Sequence, residues 1–206
     1  MQKTAAQEGG SPVVIYAAKD LTDRKQAYDL LTLAAGEQWE LTALPAMERS
    51  PRGKPYFPNI ESRHFNLSHS GTLALCVLDS CPVGADIQIV KEHRPGLPEK
   101  VCSQGELAWL SQGPDLWRRF ALLWTLKEAK VKYTGAGLTN PISAIRVPLP
   151  TGDEPLLHLD GLWFRVFSGE DWQGAVCGET PPPDGILWRS VQKNVEKSPL
   201  YKAEKS

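Results

Sequence analysis

The sequence predicts an α+β fold built from two similar α/β halves. Strand-like and helix-like patterns alternate along the 206 residues, a charged segment with two prolines and a glycine interrupts them near the middle, and one hairpin pattern occurs twice. We therefore expect an N-terminal α+β half over residues 1–95 and a C-terminal α+β half over residues 96–191. The lysine-rich segment 192–206 has few apolar residues and is predicted to be a flexible tail.

Hydrophobic spacing predicts the elements of the first half. Val13–Ala18 and Leu73–Val77 are short apolar runs typical of strands, whereas Leu21–Leu44 carries apolar residues at helical spacing. Lys91–Lys100 combines charged residues with Pro and Gly, and it is the predicted linker between the halves.

The division into halves depends on an internal repeat. Around Cys76 and around Cys177, an alanine, a proline and a glycine stand at the same offsets of −2, +6 and +8 residues. The shared pattern predicts strand–turn–strand–loop–strand, used twice. Duplication of one α+β unit explains the repeat, and the alternative is that similar hairpins look alike by chance. With duplication, we expect the functional pocket at the seam between the halves.

Composition and charge exclude some classes of function. The net charge is −1, so the chain has no global basic field to hold nucleic acid, and no nucleic-acid partner is expected. The apolar run Val13–Ala18 is too short for the core of a signal peptide or for a membrane span. We therefore expect a cytoplasmic protein that has no membrane partner.

A long helix is predicted to begin at Pro114-Asp115 and to end at Gly135. At about 100° per residue, Glu128 falls within an apolar stripe of this helix, where a solvated carboxylate is not expected. Lys132 follows one turn later. The alternative interpretation is an ordinary Glu128–Lys132 pair on the helix surface.

A second acid stands in an equally apolar setting. In the strand-like segment Val83–Ile89, alternation places Asp86 and Gln88 on the same face. A buried acid is costly unless it is paired, hydrogen-bonded or bound to a metal. Asp86 and Glu128 could therefore supply oxygen ligands to one Mg²⁺, which commonly completes its shell with water and substrate phosphate.

The segment Phe65–Gly71 combines small hydroxyl side chains, His69 and a turn glycine. Such a turn can offer backbone N–H groups and a cationic ring to a phosphate. The alternative is that His69 is an ordinary surface histidine.

Taken in order, these segments resemble the signature of the two-domain 4′-phosphopantetheinyl transferases of the surfactin-synthetase-activating type. The resemblance is carried by three motifs and two flanking segments: Phe65–Ser70, Val83–Ile87, Trp124–Lys132, Arg52–Pro55 and Gly135–Leu138. It covers about residues 50–190. Enzymes of this type act on the carriers of nonribosomal peptide, polyketide and fatty-acid synthesis.

The resemblance implies two similar α/β halves related by pseudo-twofold symmetry, with coenzyme A at their seam and Mg²⁺, or Mn²⁺ as the alternative metal, on its pyrophosphate. A serine of an apo carrier protein attacks the β-phosphate, receives 4′-phosphopantetheine and releases 3′,5′-ADP. The implied enzyme is thus a holo-[carrier protein] synthase. Because two similar halves in one chain already form an intramolecular pair, we expect a monomer.

The resemblance also implies roles for individual residues. Asp86 and Glu128 resemble the metal ligands, and Glu128 is also the candidate base for the carrier serine. Lys132 would neutralise pyrophosphate charge. The resemblance also implies that coenzyme A is contacted by Arg52, Lys54, Ser68 and His69. Of these, His69 matches the family position that contacts the 3′-phosphate.

Two features depart from the family pattern. Gln88 stands where the family often has Glu, so a weaker amide ligand would replace a charged metal ligand. The basic segment that usually precedes the first long helix is largely missing, which leaves Arg24 and Lys25 as candidates for the 3′-phosphate. The alternative function is therefore a catalytically degenerate relative that only binds coenzyme A or a carrier protein.

An acidic carrier protein is expected to dock near the seam. The predicted loop Ser103–Pro114 and the arginines Arg118 and Arg119, expected to be exposed, are candidate contacts. The alternative is that these arginines form a solvated helix face.

Overall fold

The computed structural model describes residues 13–138 and 141–191, and its mixture of helices and strands confirms the α+β class. The helices are α1 (Gln26–Trp39), α2 (Leu97–Val101), α3 (Gln104–Ser111) and α4 (Leu116–Thr134), with a one-turn 3-10 helix at Ile142–Ala144. The strands are β1 (Val14–Ala18), β2 (Glu48–Arg49), β3 (Pro55–Tyr56), β4 (His64–Ser70), β5 (Leu73–Asp79), β6 (Val83–Ile89), β7 (Leu156–Leu159), β8 (Leu162–Ser168), β9 (Trp172–Gly178) and β10 (Leu187–Trp188).

Two four-stranded sheets form the body of the molecule. Their strand orders are β10-β1-β5-β4 and β6-β9-β8-β7, and β2 and β3 make a separate two-stranded ribbon. Strand β6 follows β5 in the chain but pairs with β9 of the second sheet, whereas β10 follows β9 but pairs with β1 of the first. Strand pairing therefore crosses the predicted boundary at residues 95 and 96. The two-domain division and the pseudo-twofold symmetry stay predictions.

The two hairpins expected from the repeat lie in different sheets. Strands β4 and β5 form the first antiparallel hairpin, and β8 and β9 form the second. Each hairpin is followed by a strand that joins the other sheet. The seam between the sheets is thus the place where β6 runs beside β4.

Helix α4 packs across β6 and β9 and is the longest helix of the described residues. Its start is capped by Asp115, whose Oδ1 accepts a hydrogen bond from the backbone N–H of Arg118 at 3.0 Å. It ends at Gly135, which has a φ of 66°. These ends agree with the prediction. Apolar side chains of α4 enter the core of the second sheet, among them Phe120, Leu123 and Leu126.

The segment Ser103–Pro114 is mostly helical, so the prediction of a loop there is wrong. Helix α3 begins with a capping box in which Ser103 N donates to Glu106 Oε2 at 2.6 Å and Glu106 N donates to Ser103 Oγ at 3.3 Å. The end of the predicted linker Lys91–Lys100 likewise forms the start of α2. The predicted tail 192–206 lies outside the described residues. None of the described helices is long and apolar enough to cross a membrane.

Candidate active site at the seam

Strand β6 is held against β4 by side chains in place of a backbone ladder. The backbone N–H groups of Ala85, Ile87 and Ile89 donate to side-chain oxygens of β4 at 3.0, 3.3 and 3.0 Å, and those oxygens belong to Asn66, Ser68 and Ser70. The donors and the acceptors both recur at every second residue, so they lie on the facing sides of β6 and β4. This polar ladder forms the seam between the sheets and presents the next residue of β6, Asp86, beside Ser68.

Asp86 is buried, with only 2% of the residue exposed, and it is fully hydrogen-bonded. Its Oδ1 accepts from Ser68 Oγ at 2.6 Å and from Lys132 Nζ at 2.6 Å. Its Oδ2 accepts from Gln88 Nε2 at 3.0 Å. Burying an acid in an apolar strand costs free energy, and these hydrogen bonds offset that cost.

Helix α4 supplies the cation and a second carboxylate. Lys132 Nζ donates to Asp86 and also to Ser68 Oγ, at 3.0 Å, so the lysine pairs across the seam and not with Glu128 on its own helix. Glu128 is half-buried, and among the described residues its carboxylate has no hydrogen bond or ion pair. Burial and the nearby charge of Asp86 raise the pKa of Glu128, although Lys132 opposes the shift. The alternative of a surface Glu128–Lys132 pair is therefore not what the structure contains.

Close approach of α4 to β6 depends on Gly84. A Cβ at this position would meet the carbonyl oxygen of Ala129 and the backbone nitrogen of Tyr133. Glycine therefore lets the helix lie directly on the strand, which brings Glu128 and Lys132 within reach of Asp86.

The oxygen atoms of Asp86, Glu128 and Gln88 are of the kind that bind a hard divalent cation. Asp86 and Glu128 together outweigh the single positive charge of Lys132, and both offer carboxylate oxygens. Gln88 contributes an amide, whose Oε1 accepts from Ser70 Oγ at 3.4 Å. Within residues 13–138 and 141–191, no three His, Cys, Asp or Glu side chains are grouped so that they could hold a metal ion. The set is thus two carboxylates with an amide beside them.

A basic cavity of about 160 Å³ adjoins this cluster. Its lining includes His69 and Ser68 of β4, Arg24 just before α1 and Arg49 of β2. Burial and the charges of Arg24 and Lys132 lower the pKa of His69, and the charge of Asp86 opposes the shift. Sequence reasoning missed Arg49, which only folding of the β2–β3 ribbon brings to the cavity. Ser68 belongs to both the cavity and the Asp86 cluster.

Arg52 and Lys54, expected to bind coenzyme A, lie at the C-terminal end of α4. Lys54 Nζ donates to the carbonyl oxygens of Val83 at 3.2 Å and Tyr133 at 3.0 Å, and burial lowers its pKa to about 8. Arg52 donates to the carbonyl of Ala136. Both side chains thus fasten the β2–β3 ribbon to α4 and the loop after it, and their contact with a ligand stays a prediction.

Lys127, which precedes Glu128, is an internal anchor of α4. Only 1% of it is exposed, and its Nζ donates to Glu106 Oε2 at 2.8 Å, to Val101 O at 3.0 Å and to Ile142 O at 3.1 Å. One ammonium group therefore joins the end of α2, helix α3, helix α4 and the 3-10 helix.

The arginines expected to be exposed on α4 are half-buried and engaged. Arg118 donates to the carbonyls of Gly169 and Glu170, and Arg119 lies over the ring of Trp109 with its Cζ 3.9 Å from the ring centroid. The expectation of a freely exposed pair is therefore wrong, because Arg118 binds the turn between β8 and β9 and Arg119 packs on Trp109 of α3.

Comparison with known proteins points to one family. The model of the 4′-phosphopantetheinyl transferase superfamily matches residues 82–177, which include β6 and α4. A 4′-phosphopantetheinyl transferase of Bacillus subtilis is 32% identical over 155 residues, covering 68% of this chain and 66% of that protein. Sfp of Bacillus subtilis strain 168, also a 4′-phosphopantetheinyl transferase, is 34% identical over 149 residues with the same two coverages. AcpT of Salmonella typhi, another such transferase, is 37% identical over 112 residues, covering 50% of this chain and 56% of that protein.

The chain thus spans just under two thirds of the length of the two Bacillus proteins and just over half of AcpT. The matched region contains Asp86, Glu128 and Lys132, the charged residues that meet at the seam. The chain belongs to the 4′-phosphopantetheinyl transferase superfamily.

Proposed function

We propose that this protein transfers 4′-phosphopantetheine from coenzyme A to a serine of an apo acyl, peptidyl or aryl carrier protein and releases 3′,5′-ADP. The observation that carries the proposal is the meeting of Asp86, Lys132 and Ser68 beside Glu128, at the edge of a basic cavity. Phosphoryl transfer depends mainly on positioning and charge stabilisation, and this cluster offers both. The relatives named above support the same reaction class.

The basic cavity is the proposed site for a phosphate of coenzyme A. Arg24 and Arg49 supply guanidinium groups whose N–H donors suit phosphate oxygens, and His69 adds its ring nitrogens. The resemblance assigns the 3′-phosphate to the position of His69. Because Ser68 joins the cavity to Asp86, a ligand that fills the cavity can extend directly toward the carboxylates.

Asp86 and Glu128 are the proposed ligands of Mg²⁺, with Mn²⁺ as an alternative metal. Gln88 would be a third ligand only after its amide turned, because its Nε2 and not its Oε1 faces Asp86. When bound, the metal would stabilise negative charge on the phosphoryl oxygens. The carboxylate of Glu128 supports the assignment, since among the described residues it has no hydrogen bond or ion pair that a metal would have to displace.

The chain's own residues account for the movement of charge and protons. The carrier serine Oγ forms a bond to the β-phosphorus while the bond from that phosphorus to the bridging pyrophosphate oxygen breaks. Glu128 is the proposed acceptor of the serine proton, directly or through water, because its half-buried carboxylate has no hydrogen bond or ion pair among the described residues. Lys132, with 27% of its side chain exposed, stabilises the negative charge that develops on the leaving pyrophosphate oxygen.

We propose a monomer that acts in the cytoplasm on an acidic carrier protein, without a nucleic-acid or membrane partner. The net charge of −1 supports the absence of a nucleic-acid partner. The position of the site between two sheets of one chain supports a monomer.

Intact mass spectrometry of a purified apo carrier protein tests the proposal. Incubation with this protein, coenzyme A and Mg²⁺ should add the mass of one phosphopantetheine group, and EDTA should abolish the gain. Glu128→Gln should slow transfer at least about 100-fold. The matched control Glu154→Gln, at an exposed position outside the helices and strands, should not. Full activity of Glu128→Gln would overturn the assigned base. Coenzyme A binding without transfer to any of several carriers would favour the degenerate binding protein.

A further inference from the structure

Gln26, the first residue of α1, connects the cavity wall to the other end of the described chain. It is 6% exposed although its side chain is polar. Its Oε1 accepts from the backbone N–H groups of Thr22 at 2.6 Å and Asp23 at 3.1 Å. Its Nε2 donates to the carbonyl oxygen of Val191 at 3.2 Å. Its Oε1 also accepts from Thr22 Oγ1 at 3.3 Å. The amide therefore joins two segments separated by more than 160 residues.

The segment 187–191, here called the strap, is fixed to the first sheet along its length. Strand β10 pairs in parallel with β1, and Arg189 N donates to Ala17 O at 2.8 Å. The guanidinium of Arg189 binds both carboxylate oxygens of Glu37 in the last turn of α1, at 2.8 to 3.2 Å. The strap thus contacts α1 near both of its ends, with Gln26 at the start.

The turn that Gln26 organises is the one that carries Arg24. Backbone hydrogen bonds from Gln26 to Asp23 and from Ala27 to Arg24 make this a tight helical turn. Arg24 and Ala27 both line the basic cavity, but Gln26 does not. Among the described residues, Arg24 has no side-chain hydrogen bond or ion pair of its own, so its place depends on the backbone turn.

We propose that the strap, acting through the Gln26 amide, holds the Arg24 side of the cavity in place, which makes Gln26 a positioning residue for coenzyme A. This inference rests on the proposed function. It assigns a role in ligand affinity to a C-terminal segment that does not line this cavity. It also separates affinity from chemistry, because Gln26 contacts neither Asp86, Glu128 nor Lys132.

Two substitutions separate the acceptor function of the Gln26 amide from its donor function. Gln26→Glu retains an oxygen for the N–H groups of Thr22 and Asp23 but replaces the donor to Val191 with a second acceptor. Gln26→Met removes both functions without adding charge. Gln104→Glu is the matched control. Gln104 is also the first residue of a helix, but it is exposed and makes no side-chain hydrogen bond to the part of the chain that the structure describes.

The measurement is direct binding of coenzyme A and of dephospho-coenzyme A, which lacks the 3′-phosphate, followed by steady-state kinetics. Both Gln26 variants should bind coenzyme A about 5- to 10-fold more weakly, the effect of about one hydrogen bond, and raise its KM by the same factor. Affinity for dephospho-coenzyme A, kcat and the KM for the carrier should change less than about twofold. Gln104→Glu should match the wild type.

Unchanged coenzyme A affinity in both Gln26 variants would overturn the inference. An equal loss for coenzyme A and dephospho-coenzyme A would also overturn it, because general damage to the fold affects both ligands alike. If Gln26→Met does not fold, Gln26→Glu and Arg189→Met, which releases the strap from Glu37, decide the question. A wild-type protein that binds no coenzyme A would instead refute the proposed function.

Discussion

Replacing Lys127 by Met tests how firmly α4 is anchored beneath the site. The substitution removes an ammonium group that satisfies Glu106, Val101 O and Ile142 O, and methionine fills a similar volume without replacing any donor. Glu106, only 5% exposed, is then left without its cation. Its capping bond with Ser103 remains, so the helix start of α3 is not directly affected.

The expected loss follows from the burial of the pair. Removing one partner of a buried ion pair costs about 3–5 kcal/mol, which is a large part of the roughly 5–15 kcal/mol that stabilises a domain. Neutralising the remaining carboxylate should reverse part of this loss. The double variant Lys127→Met with Glu106→Gln retains an acceptor for Ser103 N and should recover more than half of the lost free energy of unfolding.

Urea unfolding, followed by tryptophan fluorescence, measures these free energies. Lys130→Met serves as the control, because Lys130 lies on the same helix but pairs with Asp160 near the surface at 3.7 Å, and it should cost less than about 1 kcal/mol. A loss of under about 1 kcal/mol for Lys127→Met would refute the reasoning. So would a double variant that is no more stable than Lys127→Met alone.

Two further predictions concern the contact between β6 and α4. Gly84→Ala should lower both the free energy of unfolding and the transfer rate. The new Cβ would meet backbone atoms of Ala129 and Tyr133, which cannot move unless the helix moves with them. A variant as stable and as active as the wild type would contradict the close packing. Burial lowers the pKa of Lys54 from 10.5 to about 8, so the folded chain loses this proton before the unfolded chain does. The contribution of Lys54 to the free energy of unfolding should therefore rise between about pH 8 and pH 10.5. Unfolding curves at several pH values should show that rise in wild type relative to Lys54→Met, and parallel pH profiles would argue against it.

The sequence was most informative where local rules decide the structure. The apolar stripe, the Asp115 cap and the Gly135 stop predicted α4 closely, and the isolated acids Asp86 and Glu128 indicated a shared site. A capping box at Ser103 and Glu106 was also readable, and using it would have prevented the wrong prediction of a loop.

The hydrophobic pattern could not predict which residues distant in sequence pair with one another. Periodicity tells which face of β6 is buried but not that its neighbour is β9, because any strand with a matching face would satisfy the same alternation. The charge of Lys127 was visible in the sequence, but its partner Glu106 lies 21 residues away on another helix. Arg49 and Gln26 carry no motif at all, since their positions are defined only by tertiary contacts.

The pairing of β10 with β1 has a consequence for synthesis on the ribosome. Tyr16 is synthesised before its strand partner Leu187, which is added more than 150 residues later. Until then β1 has an unpaired edge, and such edges invite association with other chains. Contacts so distant in sequence also slow folding, because the long loop must close before they contribute. The N-terminal sheet of a nascent chain should therefore stay incomplete until β10 emerges, and its exposed edge is where chaperone protection would matter most.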